Sequence, residues 1–216
     1  MTGASVLSMS MPDESRREGP AAGLLPAARL RCHVAASPER GEVERFISGV
    51  YRERYGACLR QFAPVLVSLH DEQGERVAAA GYRAAACGPL FLERYLDAPV
   101  QALLPAPAGR RPSRRGIVEV GHLAATRAGA GRQLIHRLGP HLGALGFEWV
   151  VSTLTQELRN LFVRLGVPPL ALGVADPAAL GGQAAQWGSY YDHKPLVLAG
   201  RLDAALQMLA RRAAAA

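Results

Sequence analysis

The stretch GHLAATRAGAGRQLIHRL, residues 121–138, decides how the rest of the chain is read. An apolar run, IVEVGHLAA (117–125), has the length and composition of a strand. Gly129 and Gly131 follow, and then Leu134, Ile135 and Leu138 recur at helical spacing. A helix amino terminus presents unpaired N–H groups and a partial positive charge, and glycines there let an anion reach the backbone. Gly129, Ala130 and Gly131 sit where such a nest would form, with Arg127 and Arg132 available for phosphate. The same residues also suit a plain strand-to-helix turn. The motif is neither a Walker loop, having no Gly-Lys-Ser/Thr, nor GxGxxG.

Working outward, SPERGEVERFISGVYRERYG places Val43, Phe46, Ile47 and Val50 on one helical face, with a start at Ser37-Pro38. APVLVSLHDEQGERVAAAGYRAA reads as a hairpin: Val65, Val67 and Leu69 alternate, DEQG turns the chain, and Val77, Ala79 and Gly81 alternate back. GPLFLERYLDAPVQALL is a short helix broken at Pro99, and PAPAGRRPSRRG an exposed loop. After the opening stretch, the helical pattern continues through Leu142 and Leu145 with Pro140 as a weak point. FEWVVSTL is a strand covered on both faces, QELRNLFVRLG an amphipathic helix, and WGSYYDHKPLVLAG holds a last strand before an Ala/Arg helix. The expected architecture is a single α/β domain over residues 29–203, preceded by a flexible leader (1–28) and followed by an Ala/Arg-rich tail or helix (204–216).

The formal charge of +7 invites a nucleic-acid partner, yet Lys194 is the only lysine among 25 basic residues. An Ala/Arg compositional bias without stacking-aromatic or zinc motifs argues against nucleic acid, and an acidic carrier or phosphorylated cofactor fits the charge as well. Three widely spaced cysteines argue against a disulfide framework. There is no HExxH, and His136 and His141 are poorly placed for one helical face, so no metal is expected. With neither a secretory signal nor a spanning run, the expected location is the cytoplasm and no membrane role is expected.

The order hairpin, strand, glycine turn, helix, strand, helix, strand resembles the GNAT superfamily of N-acyltransferases. That resemblance implies a twisted mixed sheet flanked by helices, in an acyl-CoA N-acyltransferase-like fold. It also implies a cofactor turn of the form Q/R-x-x-G-x-G/A, against which Thr126-Arg127-Ala128-Gly129-Ala130-Gly131 keeps both glycines but has Thr at the lead position. A closer resemblance runs from about residue 43 to 201 through RYGACLRQFAPVLVSL, LFLERYLDAPV, IVEVGHLAA, GFEWVV, LRNLFVRLGVPPLAL and WGSYYDHKP. These blocks are similar to the thermostable hemolysin family, itself related to acyl-homoserine-lactone synthases. The resemblance implies an acyl thioester donor, acyl-CoA or acyl carrier protein, and a small amine or amino acid as acceptor. A lactone-type signal synthase is one alternative, and the family name implies another, a membrane-active cytolysin.

Amide formation from a thioester needs a base for the amine, a donor for the oxyanion and an acid for the leaving thiolate. Glu119 is the candidate base, an acid within an apolar strand whose burial would raise its pKa; a salt-bridged structural Glu is the other reading. Strict alternation puts it on one face with Ile117, Gly121 and Leu123, and His122 on the opposite face in a structural role. Tyr190 and Tyr191, on the last strands, are candidate acids or packing aromatics. The resemblance assigns the backbone of Leu123, Ala124 and Ala125 to the pantetheine arm, and Asn160 to the cofactor. Phe46, Tyr51, Tyr55 and Phe62 are candidates to line an acyl or acceptor pocket. Arg110, Arg111, Arg114 and Arg115 form either a solvated loop or a docking patch for acyl carrier protein.

Overall fold

The computed structural model describes residues 29–106, 111–167 and 169–214; the expected leader and Arg110 lie outside them. Seven strands form one sheet: β1 (Arg29–His33), β2 (Val65–His70), β3 (Arg76–Ala84), β4 (Ile117–Ala125), β5 (Trp149–Leu154), β6 (Leu170–Val174) and β7 (Leu196–Arg201). Their order is β1-β2-β3-β4-β5-β7-β6, and only the central β4–β5 pair is parallel. A parallel pair needs a crossover, supplied here by the helix that follows the glycine turn.

Among the described residues, five α-helices cover the sheet: α1 (Arg40–Tyr55), α2 (Val100–Leu103), α3 (Ala130–Ala144), α4 (Gln156–Arg164) and α5 (Leu202–Ala214). The apolar face of α3, Leu134, Leu138 and Leu142, packs on Val67, Ala80, Val118 and Val120 together with Leu202 of α5. A Cβ built at Gly139 would stand 3.1 Å from Leu206, so the small residue is what lets α5 lie close on α3. Helix α3 runs continuously past Pro140, which is exposed, rather than ending there. On the other face, Val43, Ile47, Tyr51 and Tyr55 of α1 pack on Leu66, Ala79 and Ala124. The boundary drawn at residue 203 falls inside α5.

Both edge strands escape the sequence patterns. Strand β1 carries three exposed residues among its five, and β6 has no buried one. A buried chain of hydrogen bonds fixes β1. The Nδ1–H of His70 donates to the Gly74 carbonyl (2.9 Å), so its Nε2 accepts from the Ser68 hydroxyl (2.9 Å), and Ser68 Oγ in turn accepts from His33 Nε2–H (2.8 Å). Two of the 3-10 segments among the described residues matter for the site, Phe91–Tyr95 in place of the expected α-helix and the long Pro177–His193 before β7. Tyr190 and Tyr191 therefore sit in that segment and not on a strand.

Candidate active site

The central strands meet only briefly. Pairing between β4 and β5 covers Ile117↔Trp149, Val118↔Val150 and Glu119↔Val151, and then stops. From Val120 to Ala125 the β5-facing edge of β4 is unpaired, although its other edge stays on β3. A bulge accompanies the parting: Gly121 to Ala124 on β4 faces Gly81 to Ala79 on β3, three steps against two. His122 sits in it with φ 54°, an uncommon conformation for a non-glycine residue.

The bulge corrects the alternation expected from sequence. The extra residue shifts the parity of β4, so His122 comes onto the same cleft as Glu119, while Leu123 packs partly into the opposite core with Val120 and Leu134. The cleft occupies about 1000 Å³, its open mouth included, and is lined from α1, β3, β4, β5 and both 3-10 segments. A second cleft of about 840 Å³ lies on the α3 side among Ile135, Leu138, Phe162, Leu198, Leu206 and Leu209. Val120 and Leu123 line both clefts, which thus meet where the strands part.

Glu119 is half-buried, and its carboxylate accepts the backbone N–H groups of Phe91 (2.8 Å) and Leu92 (3.0 Å). Burial pushes its pKa above the ordinary carboxylate value, against the opposing pull of those two N–H donors. His122 tilts against Phe62 (5.5 Å between ring centroids) and stacks with Trp187 (6.4 Å). Burial drives its pKa down to about 4, so the ring is neutral near pH 7. Its Nδ1 and the hydroxyl of Thr153 are buried without a hydrogen-bond partner, and both residues line the cleft. Two orphaned polar atoms in one cleft are what a bound polar ligand would satisfy.

The two candidate tyrosines differ. Tyr190 is buried and donates its hydroxyl to the Thr153 carbonyl (3.1 Å), within an aromatic cluster containing Tyr51 and Tyr55. Tyr191 is half-buried, and its hydroxyl lies 2.6 Å from that of Tyr95. Burial raises both phenols, and the hydrogen bond to Tyr191 raises Tyr95 further. Tyr51 and Phe62 line the cleft; Tyr55 and Phe46 pack in the neighbouring core instead. Trp187, Phe91, Tyr95, Arg83 and Thr153 were not singled out from sequence and also line it. Arg83 carried a readable signal, being the one charge inside VAAAGYRAA.

At the mouth, Gly129 precedes α3 with φ 82°, and no side chain caps the helix. The Ala130 N–H bonds back to Arg127 O, leaving those of Gly131 and Arg132 as exposed-end donors. Thr126 pairs through its N–H with Val77 O (3.1 Å). Arg127 is engaged by Asp71 (2.5 Å) and turned towards the β2–β3 turn, whereas Arg132 is exposed. Ala124 is buried on the α1 side, Ala125 packs partly against the α3-side core, and Asn160 is exposed on α4 away from both clefts.

The arginine cluster needs a correction. Arg114 is half-buried, donating to Glu93 (2.6 Å), Gln101 (2.9 Å) and the carbonyls of Ala85 (2.8 Å) and Gly88 (2.7 Å). Its charge is consumed internally and cannot join a docking patch; Arg111 and Arg115 remain exposed.

A mixed sheet opened between its central parallel strands, with an uncapped helix at the mouth, gives the chain a GNAT-like fold. The acyl-homoserine-lactone synthase LasI superposes with a TM-score of 0.57 over 84% of this chain and 94% of its own, at 13% identity. FeeM, an N-acyl amino acid synthase from uncultured soil microbes, gives 0.56 over 82% and 93%, also at 13% identity. BjaI, a CoA-dependent acyl-homoserine lactone synthase solved with SAM and isopentyl-CoA, gives 0.57 over 86% and 89% at 12% identity. The chain belongs to the thermostable hemolysin family, whose sequence profile matches residues 33–206. No curated protein is matched in sequence.

Proposed function

We propose that the protein is an N-acyltransferase that moves an acyl group from an acyl thioester to an amine. The observation that carries this is the unpaired edge of β4 from Val120 to Ala125, running from Glu119 to the uncapped start of α3. A donor with amides along its arm and phosphate at its end matches that line of groups: amides pair with the free strand edge, and an anion meets the Gly131 and Arg132 N–H groups. The apolar α3-side cleft, continuous with the seam through Val120 and Leu123, suits a hydrocarbon acyl chain.

In this reading the acceptor ammonium loses a proton to Glu119, whose raised pKa brings it closer to the amine's working range. The amine nitrogen bonds to the thioester carbonyl carbon, the C–S bond breaks, and the leaving thiolate takes a proton from Tyr191; the second N–H proton, released as the amide forms, returns to Tyr191 through Tyr95. Backbone N–H groups of the free β4 edge hold the oxyanion. Acyl-CoA and acyl carrier protein deliver the same thioester, and a carrier would dock at Arg111 and Arg115. A reaction that consumes acyl thioesters, which are made inside the cell, supports a cytoplasmic location. The lactone-synthase reading is favoured by the LasI and BjaI likenesses and differs in its product, a lactone instead of an open amide.

The test follows free thiol released from acetyl-, octanoyl- and palmitoyl-CoA, and from acylated carrier protein, with a panel of amines; mass spectrometry identifies the product. Acyl transfer is expected, with Glu119→Gln lowering kcat by about 10²–10⁴ while thioester affinity stays near wild type. No thiol release from any donor would sink the proposal.

A further inference from the structure

Arg83 and Glu119 are directly opposite each other across β3 and β4, and both line the cleft. Directly opposed residues have Cβ atoms roughly 4.5–5.5 Å apart, close enough for an ion pair. None forms. Both Glu119 oxygens are drawn to the Phe91 and Leu92 N–H groups, and Arg83 makes one long hydrogen bond, to Pro89 O (3.3 Å). Among the described residues no carboxylate pairs with Arg83, although the side chain is half-buried on an otherwise Ala/Gly/Val strand. The other arginines nearby are placed differently. Arg94 lies over the Phe91 ring and bonds Gln183, and Arg60 is exposed at the rim.

A guanidinium with most of its five donors unspent, held beside a carboxylate it does not pair with, presents two opposite charges to whatever enters. Around them stand the rings of Phe62, Phe91 and Trp187 and the orphaned Thr153 hydroxyl. We infer that the acyl acceptor is a zwitterionic α-amino acid with a large apolar side chain, its carboxylate held by Arg83 and its ammonium presented to Glu119. The inference rests on the acyl-transfer reading for its chemistry but not for its binding geometry. An α-amino acid carries both charges on one carbon, so a single ligand engages facing positions of two neighbouring strands. The side chain then lies against the rings, and Thr153 Oγ1 gains a partner on the ligand. Transfer conserves the carboxylate: one ammonium proton passes to Glu119, the N–C bond forms, the C–S bond breaks, the second N–H proton goes to the leaving thiolate, and the products are an N-acyl amino acid and free thiol. S-adenosylmethionine shares the α-amino-acid head, so the experiment must separate it from an amino acid with a large apolar side chain.

The full-length protein is titrated with L-phenylalanine, phenethylamine (no carboxylate), 3-phenylpropionate (no amine) and S-adenosylmethionine, following the intrinsic tryptophan fluorescence, to which Trp187 in the cleft and Trp149 both contribute. L-Phenylalanine should bind about tenfold or more tightly than either half-molecule, as expected for a charged hydrogen bond lost. Arg83→Met should collapse the preference for L-phenylalanine over phenethylamine to within about twofold, and Arg83→Lys should restore part of it. The same two amines, offered with an acyl thioester, should show the same ratio in kcat/KM. Equal binding of L-phenylalanine and phenethylamine, an unchanged ratio in Arg83→Met, or binding of S-adenosylmethionine alone would each overturn the inference. Transfer to both amines at equal kcat/KM would remove the acceptor assignment while leaving acyl transfer standing. A retained zwitterion preference with no transfer to any amine would do the reverse.

Discussion

Gly181 and Gly188 share an unusual backbone conformation, φ 54° with ψ −134° and −131°, and differ in what surrounds them. These angles mirror the extended region and are nearly closed to residues with a Cβ, so Ala at either position costs about 1–3 kcal/mol in torsion alone. A Cβ at Gly181 meets nothing within 4 Å, whereas one at Gly188 would overlap Tyr55 O and stand 2.9 Å from Gly56 C. Those neighbours are backbone at the end of α1 and cannot rotate away. Relief requires the 3-10 segment to lift from α1, breaking Cys58 N–H to Gln186 O (2.7 Å) and Ser189 Oγ to Tyr55 O (3.3 Å). Overpacking of this kind adds roughly 1–3 kcal/mol or more. Gly181→Ala should therefore lose about 1–3 kcal/mol, and Gly188→Ala about 3–6 kcal/mol, by urea unfolding monitored by far-UV circular dichroism. Gly188→Ala should also disturb the near-ultraviolet signal of Trp187, Tyr190 and Tyr191, which the lifted segment carries. Equal losses for the two variants would refute the claim that contact with α1, and not torsion, fixes this wall of the cleft.

Two further perturbations test the electrostatics. His122 binds its proton less readily when folded, at about 4 against an ordinary value near 6.5. The unfolded chain thus takes up the proton first: this contribution to stability is present above pH 6.5, is lost as pH falls, and is gone below about 4. It amounts to at most about 3 kcal/mol. The wild-type-minus-His122→Phe difference in unfolding free energy should shrink across that window, and a pH-independent difference would contradict the assignment. Arg114→Met should destabilise by about 2–4 kcal/mol, because it strands the Glu93 carboxylate that Arg114 and the Val100 and Leu90 N–H groups hold below its usual pKa despite burial. That deficit should fade in acid as Glu93 protonates. Unchanged thermal stability, with weakened carrier-protein binding, would instead restore Arg114 to the docking surface.

The sequence exposed those parts of the molecule whose hydropathy carries a signal. The β2–β3 hairpin, β4 and β5 are covered on both faces and show as apolar runs, whereas α3 buries a single stripe and shows it in its period. Edge strands β1 and β6 bury too little for a pattern to emerge. Glu119 stood out as an acid in an apolar strand, but the face occupied by His122 was misread because a bulge is not encoded in hydropathy. Arg114 resembled its neighbours in composition and differs only in its partners, Glu93, Gln101 and two carbonyls, which come from segments up to 29 residues away. The opposite wall of the cleft arrives from a 3-10 segment some 70 residues after Glu119, so Trp187 had no local signature to announce it.

The three-residue seam between β4 and β5 has a consequence for how the protein answers its ligand. Every other neighbouring pair in the sheet is held by at least four registered positions, so the sheet's two halves are most weakly laced at the site itself. A donor whose amides pair with the free edge of β4 supplies the missing rungs and behaves, for the time it is bound, as an eighth strand laid into the gap. Binding and folding then draw on the same hydrogen bonds: each amide the ligand contributes tightens the complex and fastens the sheet at once.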